Sequence, residues 1–83
     1  MLVPEARDGV YTVFEAGTAV VRREGDRLVL GEIRTNPGWT SRVDDDGSEE
    51  VESDFRRDGE DALDLEVEID DGRVEAEICA DDD

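Results

Sequence analysis

From Leu63 to Cys79 the chain reads LDLEVEIDDGRVEAEIC, and few folds accept such a pattern. Leu63, Leu65, Val67 and Ile69 alternate with Asp64, Glu66, Glu68 and Asp70. Val74, Ala76 and Ile78 alternate with Glu75 and Glu77 in the same way. A period of two is the mark of a half-buried strand. Asp71-Gly72 lies between the runs and tolerates the positive φ angles of a type I′ turn. A two-residue loop then sets the register: Asp70 faces Arg73, Ile69 faces Val74, Val67 faces Ala76 and Leu65 faces Ile78. Every apolar residue lands on one face, and a slip of one residue would destroy that match.

The opposite face of this hairpin is unusual. Glu68 is expected across from Glu75, and Glu66 across from Glu77. Facing like charges cost a few tenths to about 1 kcal/mol each. The fold must screen them, neutralise them or bind a cation there.

Upstream, further short strands are expected. Residues 1–9 read as a loose lead-in broken by Pro4 and Asp8-Gly9. VYTVFE (10–15) is rich in β-branched and aromatic residues, Ala16-Gly17 is a candidate tight turn, and TAVVRR (18–23) is its return strand. Apolar residues fall on both faces of this pair, which suits a central position or an interface. Glu24-Gly25-Asp26 forms the next turn and RLVLGEIR (27–34) the next strand, with Gly31 marking a bulge or bend. Pro37-Gly38 suits positions i+1 and i+2 of a type II turn, followed by a short strand over 39–43 and a solvated acidic loop over 44–50.

Residues 48–58 admit two readings. A helix has good punctuation in Ser48, Glu49, Glu50, Arg56, Arg57 and Gly59. Only Val51 and Phe55 would line its apolar face, however, whereas Val51, Ser53 and Phe55 alternate with acids as a strand should. The strand is the preferred reading. The expected architecture is therefore all-β: six or seven short antiparallel strands in sequential hairpins, forming a small barrel or two packed sheets. A single β domain spans 10–79, and 80–83 form a frayed acidic tail.

Composition sets the functional limits. The net charge is −17, with 26 acids against nine basic residues, all Arg. Abundant Asp and Glu without Lys resembles the proteins of salt-loving archaea that keep molar salt in the cytoplasm. At about 1 M salt the Debye length is about 3 Å, so facing carboxylates hardly repel. The charge is also uneven. Residues 1–43 hold six acids and six Arg, whereas residues 44–83 hold 20 acids and three Arg, which is the whole net charge.

The chain has no His and no Lys, which excludes Ser-His-Asp and Cys-His pairs, Schiff bases and a P-loop lysine. A single cysteine, Cys79, supports neither a disulfide framework nor a zinc site. Its acidic neighbours should raise its pKa and keep it inert. Asp44-Asp45-Asp46-Gly47 does not complete an EF-hand. With Gly47 at loop position 6, Arg42 and Ser53 fall at positions 1 and 12. No catalytic residue, cofactor or dedicated metal site is expected. No run approaches 18 apolar residues and the first residues lack a signal-peptide pattern, so a cytoplasmic location away from membranes is expected.

These limits leave a non-enzymatic interaction module adapted to high salt, binding a protein partner or a second copy of itself. One alternative is a nucleic-acid binder using Arg22, Arg23, Arg27, Arg34, Arg42 and Trp39, since guanidinium groups interleaved with aromatics suit single strands. The plainer account pairs these Arg with nearby acids and puts Trp39 and Phe14 in the core. The other alternative is a divalent-cation binder on the acidic hairpin face.

Overall fold

The structure is a computed structural model that describes residues 1–59 and 61–81, the latter including the backbone of Asp81. Eight strands follow in order: β1 (Leu2–Val3), β2 (Val10–Val13), β3 (Gly17–Glu24), β4 (Arg27–Thr35), β5 (Thr40–Asp46), β6 (Glu50–Arg56), β7 (Ala62–Asp70) and β8 (Arg73–Asp81). They form two antiparallel sheets, ordered β1-β8-β7-β6-β5 and β2-β3-β4. The chain is thus all-β as expected; the sheets stay separate and close no barrel. The tail expected over 80–83 is partly strand, since β8 runs to Asp81; Asp82 and Asp83 lie outside the described residues.

The β7–β8 hairpin has the register set by its turn: Asp70 pairs Arg73, Val67 pairs Ala76 and Leu65 pairs Ile78. Asp71 and Gly72 have φ of 52° and 76°, as a type I′ turn requires. Residues 50–56 are strand, not helix. Val51, Ser53 and Phe55 all point inward because β6 continues the alternation of β7.

Four sequence expectations need correction. Leu2–Val3 is not loose lead-in but an edge strand on β8, with Leu2 opposite Glu77 and Val3 opposite Ala76. The first hairpin turns over Phe14–Ala16, since Val13 pairs Gly17. Phe14 takes the positive φ (46°) and is 52% exposed, so it is not core. Finally, Asp44–Asp46 belong to β5 rather than to a loop: a bulge at Asp44 lets Asp45 pair Glu52.

The expected irregularity at Gly31 is a bulge. The β3–β4 register shifts between Ala19 and Val21, and a Cβ on Gly31 would lie 3.1 Å from a Val20 methyl. The chain passes from one sheet to the other through Asn36–Trp39. The Trp39 amide donates to the Asn36 carbonyl (3.0 Å) and Gly38 holds φ 90°. Pro37 and Gly38 therefore sit where a type II turn wants them.

Both inner faces feed one core. Tyr11, Val13, Ala19, Val21 and Leu28 come from the three-stranded sheet; Val51, Phe55, Leu65, Val67, Ala76 and Ile78 come from the other. The Leu28 amide donates to the Ser48 carbonyl at 2.7 Å and ties the sheets at one corner.

Candidate functional site

Three surfaces could carry a function: the outer face of each sheet, and a cavity between the sheets beside the 5–9 segment.

On the five-stranded sheet the acidic ladder is wider than the hairpin suggested. Its rows run Glu50–Glu68–Glu75, Glu52–Glu66–Glu77 and Asp54–Asp64–Cys79 across β6, β7 and β8. The third column was readable in the alternation of Glu50, Glu52 and Asp54 once 50–56 is strand. Burial, then the charges of Asp45, Glu66 and Glu68, hold the Glu50 carboxyl above its ordinary pKa. Burial first and Glu66 next do the same to Glu52.

Asp54 is 6% exposed, and Arg42 and Arg56 each approach it at 3.6 Å. Its pKa is nevertheless raised, chiefly by a hydrogen bond with the Asp64 carboxyl and then by burial. Cys79 donates to Glu77 Oε1 at 3.4 Å, and that bond, with burial, raises the thiol pKa. A thiol held protonated in this way is a poor nucleophile. Neighbouring strands stand about 4.8 Å apart, so the carboxylates form a flat array rather than a cage. Among the described residues no group of three or more Cys, Asp or Glu converges to hold a metal ion.

The six residues singled out for a nucleic-acid surface are not brought together. Trp39 is 6% exposed and belongs to the core, so no base can stack on it. Arg42 lies on the edge strand β5, paired with Asp44 at 2.9 Å. Arg34 pairs Glu32 at 3.1 Å. Arg22 and Arg27 share the outer face of the three-stranded sheet with Arg34 but stand roughly 13 Å and 20 Å from it along the strands. Arg23 alternates to the inner side and donates from Nε to the Gly25 carbonyl at 2.8 Å.

That outer face has a character of its own. Val10 pairs Val20, and Val29 follows in the next row beside Arg22. Thr12 and Thr18 extend the face, and Glu24, Arg27, Glu32 and Arg34 frame it with both signs of charge. Val10 is exposed, and Val20 and Val29 are half-buried although no strand covers them.

The cavity is about 460 Å³ and is lined by the 5–9 segment, the Val21–Arg23 end of β3, Leu28, Tyr11 and Val74. Tyr11 is buried beneath it, and its hydroxyl accepts from the Ala6 amide at 3.3 Å. Burial raises the phenol pKa, with Glu5 and Asp8 adding to the effect. Arg7, missed in the sequence because it lies in the lead-in, joins Arg22 and Arg23 here.

Compared with protein-family models, curated proteins and solved structures, the chain matches none. No helix is long and apolar enough to cross a membrane among the described residues.

Proposed function

We propose that the chain is a non-enzymatic interaction module adapted to high salt, and that it works as a homodimer through the outer face of its three-stranded sheet. The observation that carries this reading is the Val10–Val20–Val29 patch, apolar and uncovered on a sheet whose other face already forms the core. Isolated apolar residues are ordinary on surfaces, but a contiguous patch framed by polar groups suits association.

Charge argues for a second copy as the occupant. The acidic face cannot approach another acidic face without strong repulsion. The three-stranded sheet comes from the half of the chain with equal numbers of Arg and acid, so two copies can meet there without a net penalty. Two-fold packing would set Arg27 and Arg34 of one copy against Glu24 and Glu32 of the other. A cytoplasm of molar salt would suit such a chain, because it silences the acidic face.

Size-exclusion chromatography with light scattering, in about 2 M KCl, tests the reading. The expected mass is twice 9.2 kDa. Val20→Asp should give a folded monomer, and Glu75→Gln on the other sheet should leave the dimer intact. A wild-type monomer at high concentration overturns the proposal.

A further inference from the structure

A sheet edge adds a fourth surface, distinct from the dimer face. β5 is seven residues long and ends one side of the five-stranded sheet, with β6 its only ladder partner among the described residues. In an antiparallel pair every second residue turns its amide and carbonyl away from the partner strand. No main-chain hydrogen bond of the described residues takes up those groups on β5. β4, the facing edge of the other sheet, is linked to this region by the Asn36–Trp39 corner and by the Leu28–Ser48 hydrogen bond, yet no ladder joins the two strands. All seven residues of β5 are exposed, so the described residues leave this edge open.

The side chains along the edge divide by face. Ser41 and Val43 stand opposite Phe55 and Ser53, so they continue the core side of the sheet. Val43 is 41% exposed there, although its row runs through Ser53 and Leu65 to Ile78, all of them buried. The core row therefore ends on an apolar side chain that the three-stranded sheet does not cover. On the outer side, Asp45 carries the Glu52–Glu66–Glu77 row to the edge, and Asp44 stands next to it in the bulge. Arg42 is the one basic residue of the strand, and it is already paired with Asp44.

We propose that the β5 edge takes an extended segment of a partner protein as an added strand, one whose basic residues alternate with apolar ones. Strand addition draws its affinity from main-chain hydrogen bonds and its selectivity from alternate side chains. An apolar residue of the segment lies against Val43 and prolongs the Ser53–Leu65–Ile78 row. The residues between face Asp44 and Asp45, which calls for Lys or Arg. Charge decides against a second copy as the occupant. β5 laid on β5 sets Asp44, Asp45 and Asp46 against the same three acids, and like charges across a ladder repel. Charged side chains on an open edge guard against self-pairing in this way. A basic segment turns the same acids into partners. Thr40–Val43 precede the bulge and offer it a regular ladder.

Nuclear magnetic resonance titration of the ¹⁵N-labelled chain tests the site, in about 1 M KCl so that bare charge attraction is screened. The probe is a capped eight-residue peptide of alternating valine and lysine. One comparator replaces lysine with glutamate. The other is the valine–lysine peptide N-methylated throughout, which keeps the charge but cannot donate main-chain hydrogen bonds. Saturable amide shifts are expected over residues 40–46, with slower hydrogen exchange of alternate β5 amides, and neither comparator should produce them. Val43→Ser and Asp45→Lys should each weaken the peptide roughly fivefold, the loss of about one cross-strand pair. Glu75→Lys, the same charge change on the far side of the sheet, should leave binding unchanged. All three side chains belong to exposed residues, and unchanged amide spectra elsewhere will confirm folding. Shifts spread over the acidic face, equal binding of the N-methylated peptide, absence of saturation, or an equal loss from Glu75→Lys would each overturn the proposal. So would the same β5 shifts on concentrating the chain without peptide, since a second copy would then hold the edge.

Discussion

Asp54 and Asp64 face each other directly on adjacent strands, and the Asp64 carboxyl, with burial, holds the Asp54 pKa above its ordinary value although the Arg56 guanidinium stands 3.6 Å away. Two carboxyl groups directly opposite each other on adjacent strands repel when both are charged. Asp64→Asn replaces one of the facing charges with a neutral amide that can donate a hydrogen bond. The variant is expected to be more stable than wild type at pH 7 by about 0.5–1 kcal/mol. Urea unfolding measures the difference, and a loss of stability would show that Asp64 has another essential role.

The same sign holds for three carboxylates of β6. Glu50, Glu52 and Asp54 all have folded-state pKa values raised above those of the unfolded chain. Between the ordinary carboxylate value of about 4 and the raised values, the folded state binds more protons than the unfolded state. Stability therefore falls as pH rises through that window and recovers as pH falls through it. Melting temperatures in low salt should be higher near pH 5 than near pH 8. The contrast should shrink in about 1 M KCl, where the Debye length is about 3 Å.

Glu66 stands between Glu52 and Glu77 in the middle of a carboxylate row. Glu66→Lys places an ammonium between two carboxylates and removes two repulsions. At low salt it should stabilise by roughly 1 kcal/mol. Chemical denaturation repeated in molar KCl should show most of that gain disappearing. A gain unaffected by salt would point to packing rather than charge.

Ser53 is buried between Val51 and Phe55 on the inner face of β6, and its hydroxyl has no hydrogen-bond partner among the described residues. An unpartnered buried hydroxyl costs about 1–3 kcal/mol. Ser53→Ala removes it with little change in volume and should stabilise by about 1 kcal/mol. Calorimetric unfolding gives the comparison, and a destabilised variant would mean that the hydroxyl is bonded after all.

Gly17 offers the opposite case. Its φ is 151°, and a Cβ added there would run into the Arg34 carbonyl oxygen across the β3–β4 ladder. Gly17→Ala is expected to destabilise by at least about 1–3 kcal/mol, the usual cost of overpacking. Gly25 has nothing around it, so Gly25→Asn should cost far less. Comparing the two variants by urea unfolding separates steric collision from loss of a turn glycine.

How much of this was legible depended on the range of the interaction. The β7–β8 hairpin and its register could be read because Asp71-Gly72 and the alternation agree locally. The bulge at Gly31 and the turn at Pro37-Gly38 were equally local. Strand β1 could not be read, since a two-residue strand has no pattern and exists only because β8 offers it an edge. Asp44–Asp46 look like loop by propensity, and only pairing with β6 makes them strand. Phe14 breaks the rule that glycine takes the positive φ, because the Val13–Gly17 register puts the turn two residues earlier than Ala16-Gly17 implied. The candidate site followed the same division. The acidic rows repeat along one strand and were visible. The cavity joins residues from the 5–9 segment, β3, β4 and β8, and no spacing in the chain announces it.

The pairing of Leu2 with Glu77 has a kinetic meaning. Apart from β1, each sheet is contiguous in the chain, with neighbouring strands joined by short connections. Such hairpins close quickly, whereas joining β1 to β8 in an unfolded chain spans most of the molecule and carries a closure entropy of about 4 kcal/mol. Two residues of ladder return little against that. The first strand therefore docks last, onto a sheet already formed, and departs first. In hydrogen exchange the Ile78 amide, which donates to the Met1 carbonyl, should open to solvent well before the amides of β6 and β7, with the rest of the fold intact.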